Sequence, residues 1–431
     1  MRLETTALDI RKGVLDNGLR VVVGPDPSTS LVAIAVVYDV GFRSEPEGRT
    51  GFAHLFEHLM FEGSQNVGKM EHARLIQAAG GVMNGHTRAD LTAYYEALPA
   101  DGLELALWLE ADRMAALALN EENLKNQVAV VEEEIRVNVL NRPYGGFPWI
   151  LLPQVAFDTY PNAHNGYGDF SHLEQATLED AASFFERYYS PANAVLAVAG
   201  ACGFEEVMEL AQRHFGSIPN RGVPERPSFS EPLPAEARRS QVEDRLAPLP
   251  AFVLGWRAPD PVGDLKGFVA LSVAGAVLAH GDASRLRHRL VHKERRATDV
   301  ACFSGPFGDG ITMRDPVLFQ TVVFHPPAFG ADQLAEEVVE EVASLGASGP
   351  SDDELERVVA SAKADHWRLV DQVLQRALSM ADFEVIHQRA ELVAELPAIW
   401  SALSQADVAK AAERLVEQNS VLLELKAGAQ R

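Results

Sequence analysis

Cysteine is scarce in this chain of 431 residues, and its scarcity excludes two kinds of architecture. Cys202 and Cys302 are the two cysteines of the sequence. Two thiols cannot form a disulfide scaffold, and they cannot supply the ligands of a thiolate zinc site. A metal site in this chain must therefore use histidine and carboxylate ligands.

Basic residues are also few. Lysine and arginine total 38 against 61 aspartate and glutamate residues, so the formal net charge at pH 7 is −23. Proteins that bind nucleic acid or anionic membranes present a positively charged surface to them. The charge balance therefore argues against both kinds of partner.

Long apolar segments are missing as well. The N-terminal segment has no apolar run of the kind that a secretory signal contains. The longest apolar stretch, Leu31–Val40, is interrupted by Asp39 and is about half as long as the ~20 residues of a membrane span. The sequence predicts a cytoplasmic protein that does not insert into a membrane.

A mixed pattern of strands and helices is present instead. Apolar runs predict strands, and Asn84–Leu98 predicts a pair of strands with a polar turn. The single strands are predicted at Leu19–Val23, Leu31–Val40 and Ala192–Ala201. Helical periodicity is found in residues 51–63, 103–119, 121–140 and 204–215.

A composition change divides the chain. Gly216–Ala237 contains five prolines and little periodicity, which is typical of a linker. Beyond it the order of elements starts again with a strand, a long helix near Gly267–Leu290, another strand, and helices to the end. We therefore predict an α+β fold with two similar α/β domains, residues 1–220 and 238–431, joined by a proline-rich linker at residues 221–237.

The segment His54-Leu55-Phe56-Glu57-His58 carries the strongest chemical signal. On a helix, residues three and four positions apart share one face, so His54, Glu57 and His58 project together. Two imidazoles one turn apart can occupy adjacent corners of a zinc tetrahedron. Glu57 lies close enough to act as general base without being a ligand. This is the H-x-x-E-H arrangement of inverted zinc peptidases.

A catalytic zinc site requires a third protein ligand. The predicted helix at residues 121–140 offers Glu132, Glu133 and Glu134. Apolar residues recur along the same helix, so part of it is buried. Spacing alone does not choose among the three glutamates.

The chain resembles the pitrilysin or insulysin family of zinc peptidases, in particular the short-chain branch that includes mitochondrial processing peptidase. Besides H-x-x-E-H, the matching segments are LDNGLRVVV, AGGVMNGHTRADLTAYYEALP, NRPYG and RYYSPANAVLAVAG, in the family's order. In that family the third ligand follows the second histidine by about 76 residues, directly before an aliphatic residue. The resemblance implies that Glu134 is this ligand, that residues 1–220 form the zinc-peptidase domain, and that each chain holds one Zn²⁺.

The resemblance also implies roles for two residues outside the ligand set. Asn84–Tyr95 would form the edge strand on which an extended peptide is added through main-chain hydrogen bonds. Asn84 is the best candidate for a substrate contact. Gln127 occupies the place where many members carry a second glutamate, seven residues before Glu134 on the same helix face. Gln127 is therefore the candidate for a residue that orients the metal ligands without binding the metal itself.

The last tyrosine of the chain is Tyr189, so the second half contains none. Fully active family members use an arginine and a tyrosine there, seven residues apart, to bind the substrate carbonyl. Those positions fall on Val291 and Thr298 here. In the short-chain branch a metal-free homologue supplies the pair.

The resemblance therefore implies a zinc endopeptidase subunit that cuts unfolded peptides or leader segments in a closed chamber. Its second, non-catalytic domain would be homologous to the first, and a homologous non-catalytic subunit would complete a heterodimer. Two alternatives stay open, namely a non-catalytic scaffold subunit and a self-sufficient homodimeric peptidase.

Overall fold

The computed structural model describes residues 8–428, which form two compact units. The first unit contains the residues up to Glu132, then Gly166–Pro227 and Asp365–Leu396. The second contains Glu133–Asn165, Ser228–Ala364 and the residues from Pro397 onward. Neither unit is continuous in sequence.

The first unit is built on a six-stranded sheet. Its strands are β1 (Arg11–Val14), β2 (Arg20–Pro25), β3 (Leu31–Tyr38), β4 (Val82–Thr87), β5 (Thr92–Pro99) and β6 (Ala194–Gly200). Their order is β1-β2-β6-β3-β5-β4, with β2 and β6 parallel and the other pairs antiparallel. The apolar runs of β3 and β6 are almost wholly buried, as expected for strands that are covered on both faces. The strand β4 lies at the edge of this sheet.

The second unit repeats this pairing. Its strands are β7 (Arg238–Asp244), β8 (Ala251–Arg257), β9 (Asp299–Ser304), β10 (Leu318–Phe324) and β11 (Val421–Ala427). The order β7-β11-β8-β10-β9 has one parallel pair, β7 with β11, and three antiparallel pairs. It matches β2-β6-β3-β5-β4 strand for strand. The predicted α+β fold with two similar domains is confirmed at the level of topology.

Fifteen α-helices are found in the described residues. They are α1 (Phe52–Leu59), α2 (Glu71–Ala78), α3 (Leu103–Ala115), α4 (Glu121–Ile135), α5 (Leu151–Ala156), α6 (Tyr160–Ala163), α7 (Phe170–Glu174), α8 (Leu178–Tyr188), α9 (Phe204–Phe215), α10 (Leu265–Ala279), α11 (Ala331–Ser348), α12 (Asp352–Val370), α13 (Val373–His387), α14 (Leu392–Ser401) and α15 (Gln405–Glu413). None of them combines the length and apolar character that a membrane crossing requires.

Two predictions for the second half were wrong in detail. The long helix expected near Gly267–Leu290 is interrupted, because α10 ends at Ala279 and Gly281 adopts a positive φ of 75°. A separate π-helical segment follows at Arg287–Lys293. The chain also does not end in helices, because β11 lies between β7 and β8 and completes the second sheet.

Each sheet is covered by a helix from the opposite half of the sequence. Helix α13 packs on β3 and β6 of the first sheet. Leu152 and Ala156 of α5 share a buried cluster with Ala251 and Val253 of β8 in the second unit. The predicted boundaries at residues 220 and 238 assign α5 to the first domain and α13 to the second, whereas each helix packs on the other sheet. Linker composition carries no information on which sheet buries a helix. Residues 221–237 contain no helix or strand, and the chain passes between units after Pro227.

Candidate metal centre

The H-x-x-E-H segment lies on α1, whose N-terminus is fixed by a buried carboxylate. Glu45 accepts hydrogen bonds from the main-chain N–H groups of Gly51 (2.9 Å) and Ala53 (2.7 Å). A negative charge there is favoured by the positive end of the helix dipole. Gly51 has a φ of 84°, and a Cβ atom on it would lie 2.6 Å from the carbonyl oxygen of Tyr167. Glycine is therefore required where the chain enters α1.

The two histidines lie one turn apart with their ring nitrogens close together. The Nε2 atoms of His54 and His58 are 3.4 Å apart, and the two rings are nearly perpendicular. With Zn–N distances of about 2.0–2.1 Å, two corners of a tetrahedral site are roughly 3.4 Å apart. The nitrogen separation therefore fits two ligands of one zinc ion. The edge of the Tyr167 ring packs against His54, with 5.1 Å between ring centroids.

Glu134 completes a three-residue group with the histidines. Glu134 is the last residue but one of helix α4. One ligand atom from each of His54, His58 and Glu134 lies within 4.8 Å of the others, and all three side chains are half-buried. Glu133 is exposed and pairs with Arg136 instead. The structure thus brings the predicted ligands together, and their role as ligands stays a prediction.

Glu57 lies beside this group and is not part of it. Its Oε2 atom accepts a hydrogen bond of 2.7 Å from the hydroxyl of Thr87, on the edge strand β4. The Thr87 hydroxyl is also 3.5 Å from the carbonyl oxygen of Ala53. Sequence reasoning missed Thr87. The predicted strand pair contains it, but no spacing rule connects it to a glutamate thirty positions away.

The main-chain groups of Gly85 and Thr87 point to the open edge of β4. The N–H of Arg88 donates to the carbonyl of Leu91 at 2.8 Å, which makes these two residues the first hydrogen-bonded pair of the hairpin. Antiparallel strands alternate between hydrogen-bonded and non-hydrogen-bonded pairs. In the observed register Thr87 and Gly85 fall in non-hydrogen-bonded pairs with β5. Their N–H and C=O groups therefore point away from β5.

The side chain of Asn84 is exposed and forms a hydrogen bond at this edge. Its side-chain oxygen accepts a hydrogen bond of 2.9 Å from the N–H of Gly85. The predicted strand pair at Asn84–Leu98 is confirmed as β4 and β5. The substrate contact assigned to Asn84 stays a prediction.

Gln127 is buried against a carboxylate that sequence reasoning did not single out. Its Nε2 donates to Oε1 of Glu62 at 2.7 Å, and Nζ of Lys69 lies 2.5 Å from the other oxygen of Glu62. Gln127 therefore links α4 to the segment that follows α1. A glutamate at position 127 would place two buried carboxylates in contact. The predicted support of the ligands by Gln127 stays a prediction, with Glu62 as the observed partner.

A second group of ligand-type residues lies in the interior of the first unit. Side-chain atoms of His72, Glu96 and Glu110 lie within 4.8 Å of one another, and all three residues are buried. Arg113 donates hydrogen bonds to both oxygens of Glu110. Burial raises the pKa of Glu96 to about 8 and lowers the pKa of His72 to about 4. The adjacent guanidinium opposes a further cation, so we interpret this group as a buried Arg113–Glu110 ion pair with uncharged His72 and Glu96 beside it.

The two positions implied for a substrate-binding arginine and tyrosine are occupied by other residue types. Val291 lies in the π-helical segment Arg287–Lys293. Thr298 directly precedes β9, and its hydroxyl donates to the carbonyl of Phe324 at 3.1 Å. The second half therefore offers neither a guanidinium nor a phenol at these two positions.

Two family descriptions match the chain. "Insulinase (Peptidase family M16)" matches residues 20–144, which include His54, Glu57, His58 and Glu134. "Peptidase M16 inactive domain" matches residues 175–362. The second match covers most of the second unit, and it begins within the part of the first unit that precedes Pro227.

Known proteins of this kind are similar over most of the chain. The zinc protease PqqE of Helicobacter pylori is 30% identical over 375 residues, which are 86% of this chain and 82% of that protein. Cytochrome b-c1 complex subunit 1 of Rattus norvegicus is 28% identical over 63% of this chain and 55% of that protein. The crystal structure of a protease from Helicobacter pylori superposes with a TM-score of 0.89 at 27% identity, covering 97% of this chain and all of that one. The chain therefore belongs to peptidase family M16, as its resemblance to the pitrilysin or insulysin family predicted.

Proposed function

We propose that this chain is the zinc-bearing subunit of an endopeptidase. The observation that carries the proposal is the convergence of His54, His58 and Glu134, with Glu57 beside them. Two imidazoles and one carboxylate are a donor set typical of catalytic zinc, which keeps a fourth position for water or substrate. The relative PqqE carries the name of a zinc protease.

The chemistry follows from the roles that these side chains can take. Zinc in this site would act as a Lewis acid toward water and the scissile carbonyl. Glu57 accepts the proton of the attacking water and transfers it to the departing amine, which is general acid–base catalysis. Glu57 is not one of the three candidate ligands, so its carboxylate is available for this role. The bond that is cleaved is an amide.

The edge of β4 supports an extended peptide as substrate. The outward N–H and C=O groups of Gly85 and Thr87 can pair with the main chain of a peptide, which then adds as a further strand. A folded protein has its main-chain groups already paired. We therefore propose unfolded peptides or leader segments as substrates, enclosed in a chamber that excludes folded proteins.

A homologous subunit would complete the site. The positions that correspond to the substrate-binding arginine and tyrosine carry Val291 and Thr298, and no tyrosine follows Tyr189. Donors for the carbonyl oxygen must then come from elsewhere. We propose that a non-catalytic homologue supplies them in a heterodimer, with a homodimer as the alternative.

A non-catalytic scaffold is the second candidate, and the match to cytochrome b-c1 complex subunit 1 favours it. A scaffold has no need of two histidines, a third carboxylate and a base in one place. The grouping of His54, His58 and Glu134, with Glu57 on the same helix as the two histidines, therefore supports the peptidase instead.

The decisive experiment measures zinc and peptidase activity together. The wild-type chain and its Glu57→Gln variant are loaded with zinc and assayed on an unstructured fluorogenic peptide, alone and with a homologue that carries the late arginine and tyrosine. We expect both chains to bind one zinc ion and only the wild type to cleave. Absence of zinc binding, or equal cleavage by Glu57→Gln, would reject the proposal and favour the scaffold.

A further inference from the structure

We propose that Thr87 is a positioning residue that connects peptide pairing along β4 to the orientation of the general base. The proposal rests on the peptidase function proposed above. It starts from the 2.7 Å hydrogen bond between the Thr87 hydroxyl and Oε2 of Glu57. This bond joins α1, which carries the base, to the strand that has an open edge.

The hydroxyl restricts the carboxylate of Glu57. A glutamate side chain has three rotatable torsions, and a half-buried one can populate several rotamers. Thr87 is β-branched and lies in a strand, so its own χ1 is restricted. A hydrogen bond from a neutral hydroxyl to a carboxylate is also stronger than one between neutral groups. Thr87 therefore holds Oε2 of Glu57 in one place relative to α1.

The same residue lies on the edge where a peptide would pair. The main-chain N–H and C=O of Thr87 point away from β5, as do those of Gly85 two residues earlier. At Gly85 the strand is tightly packed, because a Cβ atom there would lie 3.2 Å from the ring of Phe61, two residues beyond α1. A peptide that binds the outer edge of β4 therefore restrains the backbone whose side chain holds the base.

Two substitutions at position 87 separate the hydroxyl from the shape of the side chain. Thr87→Val keeps the branched shape and removes the donor, whereas Thr87→Ser keeps the donor. We expect Thr87→Val to lower kcat about 10- to 100-fold, which corresponds to the loss of one hydrogen bond to a charged group. Zinc content and KM should change little, and Thr87→Ser should recover most of kcat.

Thr92→Val is the matched control. Thr92 faces Thr87 across the hairpin, but it lies on β5, which is between β3 and β4 and not at the open edge. Its hydroxyl donates to the carbonyl of Val40 at 2.8 Å. The control removes a hydroxyl hydrogen bond from the same hairpin without touching Glu57. It should lower the free energy of unfolding and leave kcat unchanged. An equal loss of kcat in Thr92→Val and Thr87→Val would overturn the proposal in favour of general destabilisation.

Two further measurements test the connection itself. In a Glu57→Gln background the residual turnover, followed over long incubations, should not fall further on Thr87→Val, because Thr87 acts through Glu57. In the wild type, long peptides that can pair along β4 should be cut with a higher kcat than short ones, because remote binding energy is used to orient the base. Thr87→Val should remove this dependence on length. If the length dependence survives in Thr87→Val, the connection is refuted.

A structural measurement keeps the two proposals apart. Crystal structures of the wild type, Thr87→Val and Thr87→Ser show the rotamer of Glu57 whether or not the protein cleaves peptides. We expect one rotamer in the wild type and in Thr87→Ser, and several in Thr87→Val. If the wild type cleaves nothing, the proposed function fails, yet the rotamers still decide the role of Thr87. An unchanged Glu57 rotamer in Thr87→Val would overturn that role.

Discussion

The side-chain oxygen of Asn84 accepts the main-chain N–H of Gly85 at 2.9 Å, so an exposed amide covers part of the open edge of β4. This N–H is one of the outward donors that a paired peptide would use. Asn84 must therefore turn away when a peptide adds to the strand. Once released, its amide would lie beside the peptide, where the predicted substrate contact would form.

We predict that Asn84→Ala raises KM for extended peptides several-fold with little change in kcat. The released amide contributes a contact to the bound peptide that alanine cannot make, whereas the chemical groups at the zinc site are untouched. Steady-state kinetics on an unstructured peptide measure this. A lower KM would show that the Asn84 side chain competes with substrate and would contradict the predicted contact.

Metal analysis tests the ligand set. His58→Ala and Glu134→Ala should each lose most of the bound zinc, because a catalytic site has three protein ligands and loses a large part of its affinity with any one of them. Glu133→Ala is the matched control, because Glu133 is exposed on the adjacent position of α4 and pairs with Arg136. Full zinc in Glu134→Ala with loss in Glu133→Ala would reassign the third ligand.

The missing arginine and tyrosine predict a weak isolated subunit. The zinc-loaded chain alone should hydrolyse peptides slowly, because removal of one oxyanion donor commonly costs about 10²–10³ in rate. Mixing with a homologue that carries the pair should raise turnover by a comparable factor and form a 1:1 complex. Substitution of the arginine or tyrosine in that homologue should remove the gain and leave zinc bound. Equal turnover of the isolated chain and the mixture would favour the homodimer.

The buried cluster predicts how stability changes with pH. Burial raises the pKa of Glu96 from 4.5 to about 8, so between these values the folded state binds a proton that the unfolded state releases. Stability from this group is therefore lost as the pH rises through the folded-state pKa. His72, whose pKa falls to about 4, acts in the opposite direction, but only below its unfolded value of 6.5. Above pH 6.5 the effect of Glu96 on stability is therefore not offset by that of His72.

Between pH 6.5 and 8 the ionisation of Glu96 should lower the free energy of unfolding of the wild type by up to about 2 kcal/mol. We predict that this decrease is absent in Glu96→Gln. Glutamine keeps the size of the side chain and cannot ionise. Denaturant unfolding at the two pH values measures the difference. Glu47→Gln serves as control, because it makes the same substitution at an exposed glutamate. An unchanged pH dependence in Glu96→Gln would contradict the prediction.

Many local elements could be predicted from residue patterns. Alternating and apolar runs identified β2, β3, β6 and the hairpin of β4 and β5, and the periodicity of residues 204–215 coincides with α9. Strand β7 (Arg238–Asp244) has polar residues at every position except Val242, so its pattern gave little signal. The exchange of α5 and α13 between the two sheets also left no local signal, because an amphipathic helix can be buried on either sheet.

The sequence by itself determined the face on which His54, Glu57 and His58 lie, because the geometry of one helical turn follows from spacing along the chain. It also determined which side chains could be ligands, since two cysteines leave only histidine and carboxylate. Tertiary structure alone decided that Thr87 donates a hydrogen bond to Glu57 and that Gln127 donates one to Glu62. These residues are far apart in sequence, and their contacts depend on how α1 packs against β4 and how α4 packs against the segment after α1. Local propensity and periodicity contain no information on that packing.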